Sequence, residues 1–248
     1  MCTLILLRRP GHDWPVIVGA NRDEMKARPW RPPARHWPDR PEVVAGLDEL
    51  AGGSWLGIND HGVVAGILNR HHSLGPAPGQ RSRGELVLEA LDHADAADAA
   101  AALSAVDPRA YRTFNMIVAD SRDAFWLRHA DETGKATVEA QPVKEGLSMI
   151  ASGEIDDPEM PRLSRFRPRF LSAPVPDPAA GDWSAWENLL SEDGGGPDRA
   201  LRFDTDRGFA TVSSALIAIP THDKPDLKPR FWFRGYFPIV TPWADLPA

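Results

Sequence analysis

Met1-Cys2-Thr3-Leu4-Ile5-Leu6-Leu7, then Arg8-Arg9-Pro10-Gly11-His12-Asp13, then Trp14-Pro15-Val16-Ile17-Val18-Gly19 and Ala20-Asn21-Arg22-Asp23-Glu24: these opening residues decide how the chain is read. The apolar runs 2–7 and 14–19 have the length and bounding residues of buried strands. The Arg, Pro, Gly and Asp between them supply turn chemistry, so a hairpin is the natural reading. A turn near residues 10–13 pairs position 2 with a position in the low twenties. By counting the ladder, residues 21–24 then face Cys2.

That placement matters because Cys2 is the only cysteine of the chain. No intramolecular disulfide can form, and the small side chain permits removal of the initiator Met. Cys2 would then carry a free α-amine, with a reference pKa of about 7.7–8.0, beside a thiol that is a strong nucleophile as thiolate. One residue would hold both nucleophile and base, and a carboxylate among residues 21–24 could orient the amine. The competing readings are structural. Cysteine is also a small buried hydrophobe, and Asn-Arg-Asp-Glu also serves as a helix cap or a turn with a surface ion pair.

The bulk numbers exclude several classes. With 248 residues, 42% hydrophobic and 25% charged, the chain can bury a sizeable core in one large domain or two small ones. A net charge of −7 argues against nucleic acid and anionic membrane as partners. The cluster Arg162, Arg165, Arg167 and Arg169 reads as a solvated face. Nine Trp against two Tyr suit core filling and the propping of Pro-rich loops. The run at 4–7 is too short for a signal-peptide core and is followed, not preceded, by charge. No stretch approaches the length of a membrane span, and the expected location is cytoplasmic.

Further along, residues 28–41 have no periodicity and read as an ordered surface loop. Residues 54–59 and 63–69 form a hairpin turned by Asp60-His61-Gly62. The pattern turns helical over 83–106. Strand pairs are expected at 114–120 with 124–129, at 136–143 with 147–152, and at 209–219 with 231–237. Residues 159–173 and 183–191 read as helices, and 192–197 as a flexible loop. Antiparallel strands with helices in blocks imply α+β layers, here a single domain over 1–248.

Met1-Cys2-Thr3 with Ala20-Asn21-Arg22-Asp23-Glu24 resembles the NRDE family, which includes the eukaryotic transport-and-Golgi-organisation homologues. Gly53-Ser54-Trp55-Leu56-Gly57-Ile58-Asn59, Gly62-Val63-Val64-Ala65-Gly66-Ile67-Leu68-Asn69-Arg70 and Phe114-Asn115 extend the likeness. The same framework resembles the cysteine N-terminal-nucleophile (Ntn) amidohydrolases, such as bile-salt hydrolases and penicillin V acylases. That resemblance implies a four-layer αββα sandwich of two antiparallel sheets. It implies Cys2 as nucleophile, Asp23 as partner of its α-amine, and the Asn69 side-chain amide as oxyanion donor, worth about 2.7–4 kcal/mol in comparable sites. It places Asn21, Arg22 and Asn115 at the substrate and requires no metal or organic cofactor. The chain departs from the pattern at Ala20, where those hydrolases carry an Arg, and at Gly153 and Val212, where polar residues are usual.

Two functions compete on this reading. One is hydrolysis of a carbon–nitrogen amide bond in a small molecule. The other is non-catalytic binding and trafficking of haem, acyl-CoA or lipid on the same fold. For haem the contacts would be His71, His72 and Cys2, although His71-His72 also reads as a solvated turn. A third reading, a relic site on a partner platform, has no positive support in the residues.

Overall fold

The structure is a computed structural model that describes residues 2–131 and 134–246. In chain order the elements are β1 Thr3–Arg8, β2 Val16–Met25, β3 Trp30–Ala34, β4 Val43–Asp48, β5 Leu56–Asn59, β6 Val64–Asn69, α1 Gly84–Leu91 and α2 Ala96–Ser104. There follow β7 Phe114–Ala119, β8 Ala124–Ala130, β9 Thr137–Pro142, β10 Gly146–Ile150, α3 Pro161–Ser172, α4 Ser184–Leu190, β11 Phe209–Ile219, β12 Arg230–Gly235 and β13 Ala244–Leu246. One sheet runs β10-β1-β2-β11-β12-β13 and the other β3-β4-β5-β6-β7-β8-β9, antiparallel throughout.

The strand pleat builds the layers. Leu4, Leu6, Val16 and Val18 point between the sheets and meet Leu56, Ile58, Val64 and Leu68 of the second sheet. Their neighbours Ile5, Leu7 and Ile17 point the other way, onto Leu163, Phe166 and Phe170 of α3 and Trp186 of α4. The outer face of the second sheet, with Ala45, Ala65, Met116 and Val118, lies under α1 and α2. Both faces of each central strand are therefore covered, which is why these strands read as unbroken apolar runs. The result is an α+β, four-layer αββα sandwich of the Ntn-hydrolase type.

Several local expectations change. Segments 136–143 and 147–152 do not pair with each other. β9 lies on β8 at the edge of one sheet, while β10 lies on β1 in the other. The turn between them carries the chain from sheet to sheet. The Pro-rich stretch 28–41 contains an edge strand, β3, whose register on β4 slips between Arg31 and Ala34, at the Pro pair that cannot donate to a ladder. The helix expected over 83–106 is two helices, and Asp95 caps the second by accepting from Asp98 N at 2.8 Å.

The arginines of α3 are not a solvated stripe. Arg162 is buried, Arg165 and Arg169 grip Glu192, and Arg167 grips Asp156. Arg165 and Arg162 also donate to the carbonyls of Gly194 and Pro197, so the segment read as a flexible loop is tied to the helix. Among the described residues, no helix is long and apolar enough to cross a membrane.

Candidate active site

The first hairpin pairs Thr3 with Asn21 and Leu4 with Ala20, which sets Cys2 opposite Arg22. On the far side of β2, Ser213 pairs with Arg22 and Ser214 with Asn21. Residues opposite one another share a face. Cys2, Arg22 and Ser213 therefore form one row turned toward the inter-sheet space, and Thr3, Asn21 and Ser214 form the next row, turned toward α3 and α4.

Cys2 Sγ is held by the main chain of Asp23. It accepts the Asp23 N–H at 3.3 Å and lies 3.5 Å from the Asp23 carbonyl oxygen, to which the S–H donates. Burial pushes the thiol above its ordinary pKa, and the Asp23 charge adds to the effect.

The Asp23 carboxylate points to the opposite face, where it is fixed from two elements. Oδ1 accepts from Thr211 Oγ1 at 2.7 Å and Oδ2 from Arg162 Nη1 at 3.1 Å. Arg162 Nη1 also donates to Thr3 Oγ1 at 2.8 Å. β1, β2, β11 and α3 thus converge on one carboxylate. Neither Arg162 nor Thr211 was singled out from the sequence, although Arg162 opens the arginine cluster read as a surface.

Arg22 enters the cleft that Cys2 opens onto. Its guanidinium sits 3.9 Å from the Trp55 ring centroid, and its Nη2 donates to Asp48 Oδ2 at 3.2 Å. Trp55 can lie there because β4 carries Gly46 beneath it: a Cβ at Gly46 would fall 2.2 Å from the indole ring. Ala20 and Arg22, two apart on β2, face the same way. Arg22, two positions along from Ala20, therefore turns a cation into the cleft on the face that Ala20 shares. The cleft is narrow, with a cavity volume of about 20 Å³, and is walled further by Leu56, Leu68, Ser213 and Ala215.

The remaining sequence-derived residues are placed differently. Asn69 pairs with Phe114, which packs in the core under α1 and α2. Ile67 and Leu68 are the β6 residues that line the Cys2 cleft, and Asn69 is not among its lining residues. Asn21 spends its side chain on the α4 side. It donates to Leu190 O and Leu201 O at 2.9 and 2.8 Å and accepts from Ser214 Oγ at 2.5 Å.

Asn115 is fully buried and fully used. It donates to Ala151 O and Gly153 O and accepts from Arg70 Nη1 and Trp126 Nε1. It clamps the second sheet to the segment after β10 and has no valence left for a substrate. His71 turns its ring to Ser152 Oγ at 3.2 Å and lines a separate cavity of about 360 Å³ with Asp157, Glu159, Arg162 and Asp198. His72 occupies the turn with a φ of 60°. Neither histidine lines the Cys2 cleft. Among the described residues, no group of three His, Cys, Asp or Glu could hold a metal ion.

Comparison with known proteins follows this geometry. The family model described as Transport and Golgi organisation 2 matches residues 1–173. The chain belongs to that family. Curated homologues from Mus musculus and Homo sapiens are each 37% identical, over 110 and 112 residues respectively. Each match takes in 42% of this chain and 38% of the relative, so the chain spans little more than a third of those family members.

Among solved structures, the Caenorhabditis elegans N-acylethanolamine-hydrolyzing acid amidase ortholog superposes with a TM-score of 0.57 at 14% identity, covering 99% of this chain and 100% of that one. A variant of the conjugated bile acid hydrolase from Clostridium perfringens gives 0.54 at 10% identity, covering 98% and 92%. At such identities the likeness establishes the Ntn-hydrolase fold of this Transport and Golgi organisation 2 family member.

Proposed function

We propose that this protein hydrolyses a carbon–nitrogen amide bond in a small molecule, with Cys2 as nucleophile once Met1 has been removed. The observation that carries the reading is the seating of Sγ on the main chain of Asp23 at the cleft, backed by a carboxylate that Arg162 and Thr211 hold in place. The two structural neighbours, an N-acylethanolamine-hydrolyzing acid amidase ortholog and a conjugated bile acid hydrolase, agree with that bond class.

In the reaction the freed α-amine of Cys2 takes the thiol proton as Sγ bonds to the carbonyl carbon, and the carbonyl electron pair moves to oxygen. Collapse of the tetrahedral intermediate breaks the C–N bond, and the ammonium returns its proton to the departing nitrogen. Water, deprotonated by the same amine, then attacks the thioester and releases the acid and the thiol. Asp23 holds the ammonium while it carries the proton. Asn69 ends β6 outside the residues that line the cleft and has no step in this scheme.

The test is product release from a panel of N-acyl amides by the wild type and Cys2→Ala. Loss of all release in the variant supports the assignment, and retained release overturns it. One observation favours a second reading, in which haem, acyl-CoA or lipid is held without turnover: burial raises the thiol's pKa and so opposes formation of the thiolate. Saturable haem or acyl-CoA binding by a chain inert toward every amide would decide for that reading.

A further inference from the structure

Arg22 contains a donor that nothing satisfies. The side chain is 4% exposed, and among the described residues its Nη1 makes no hydrogen bond. The acceptor nearest to hand is already full. Asp48 Oδ2 accepts from Arg22 Nη2 and from Arg28 Nε at 2.6 Å, and Oδ1 accepts from Leu50 N and Ala51 N at 3.1 Å each. Buried guanidinium nitrogens are normally paired, and leaving one open costs stability. The fork is also held edge-on by Asp48 and face-on by Trp55, which Trp30 in turn meets edge-to-face at 5.8 Å. It lies in the row of β2 next to Cys2 and lines the same cleft. A held, desolvated, unpartnered donor beside a nucleophile is pre-organised for charge that develops during reaction.

We propose that the unpartnered Nη1 of Arg22 is the oxyanion donor of the Cys2 site, stabilising the alkoxide formed when Sγ adds to an acyl carbonyl. This deepens the hydrolase reading and rests on it. It moves Arg22 from holding the substrate to holding the transition state. The bond-making step is the one already described: Sγ–C forms, the C=O electron pair moves onto oxygen, and that oxygen accepts from Nη1. No metal, reductant or second substrate enters.

The test separates chemistry that passes through an alkoxide from chemistry that does not. Processed wild type, Arg22→Gln and Arg22→Lys are each treated with a neutral p-nitrophenyl ester and, separately, with iodoacetamide, and both reactions of Cys2 are followed by intact mass. Acylation forms an oxyanion, whereas alkylation is a direct displacement and forms none. Arg22→Gln is expected to slow acylation about 100-fold or more with alkylation changed far less. Arg22→Lys keeps the charge and the pairing with Asp48 but loses the open fork nitrogen, so it is expected to acylate as slowly to within about tenfold. Circular dichroism and thermal unfolding confirm that each variant is folded.

Equal slowing of both reactions, or full acylation by Arg22→Lys, overturns the oxyanion role while leaving the nucleophile intact. Unchanged acylation by the neutral ester in Arg22→Gln also overturns it, as expected if Arg22 recognises a substrate carboxylate. A wild type inert to both reagents removes the hydrolase reading itself.

Discussion

Arg162 on α3 reaches through the outer face of β1 and β2 to donate to the Asp23 carboxylate at 3.1 Å, with the two side chains 3% and 0% exposed. The pair fixes a carboxylate whose own main chain carries the Cys2 sulfur. A helix that looks superficial in sequence therefore sets the position of the proposed nucleophile.

Removing the cation should leave a buried carboxylate short of its partner. Arg162→Met is expected to lower the unfolding free energy by about 3–5 kcal/mol, read by urea denaturation. A loss below ~1 kcal/mol would show that the carboxylate repartners or hydrates.

The thiol gives a prediction of opposite sense. Burial first and the Asp23 charge second raise its pKa, so the rate of alkylation should climb with pH to a midpoint above the ordinary thiol range. Asp23→Asn removes the like charge and should move that midpoint down. A midpoint that stays put or rises would mean that Asp23 does not act on the sulfur electrostatically.

His129 is buried with its Nε2 unpartnered among the described residues, and burial lowers its pKa although the Arg112 carbonyl, at 3.3 Å from Nδ1, acts the other way. The unfolded ring titrates near ~6.5. Below that pH the unfolded chain binds a proton that the native chain does not, so stability falls as pH drops, by up to about 1.4 kcal/mol per unit for this group. Urea midpoints compared between about pH 7.5 and pH 5.5 should shift less in His129→Gln than in wild type, if the histidine carries its share. Identical shifts would place the pH dependence elsewhere.

Gly46 supports Trp55, and through it Arg22. Gly46→Ala puts a methyl 2.2 Å from the indole, which must move. A cost of about 1–3 kcal/mol is expected, together with slower acylation of Cys2, because Arg22 loses its stacking platform. Unchanged acylation would show that Arg22 is positioned by Asp48 alone.

The sequence is informative wherever neighbours in the chain are neighbours in space. The first hairpin could be counted because its turn residues fix the register, and Thr3 does stand opposite Asn21. Local turn chemistry cannot say which sheet a strand joins, so β9 and β10 read as a pair although one lies on β8 and the other on β1. Asn69 was matched by motif. The structure sets it at the end of β6, opposite Phe114 of β7 and outside the residues that line the cleft, a placement the motif does not encode. Arg162 was hidden for a tertiary reason: it sits 139 residues from Asp23, and a run of arginines on a helix is ordinarily solvated.

The most direct test of the central claim is an intact-mass spectrum of the wild-type protein quenched during reaction with an N-acyl amide or activated ester. The account predicts a chain lacking Met1 and carrying one acyl group, on Cys2, the only cysteine of the sequence, with the adduct decaying as acid is released. A chain that keeps Met1 and takes up no acyl group, or one that turns over substrate equally well as Cys2→Ala, would contradict it.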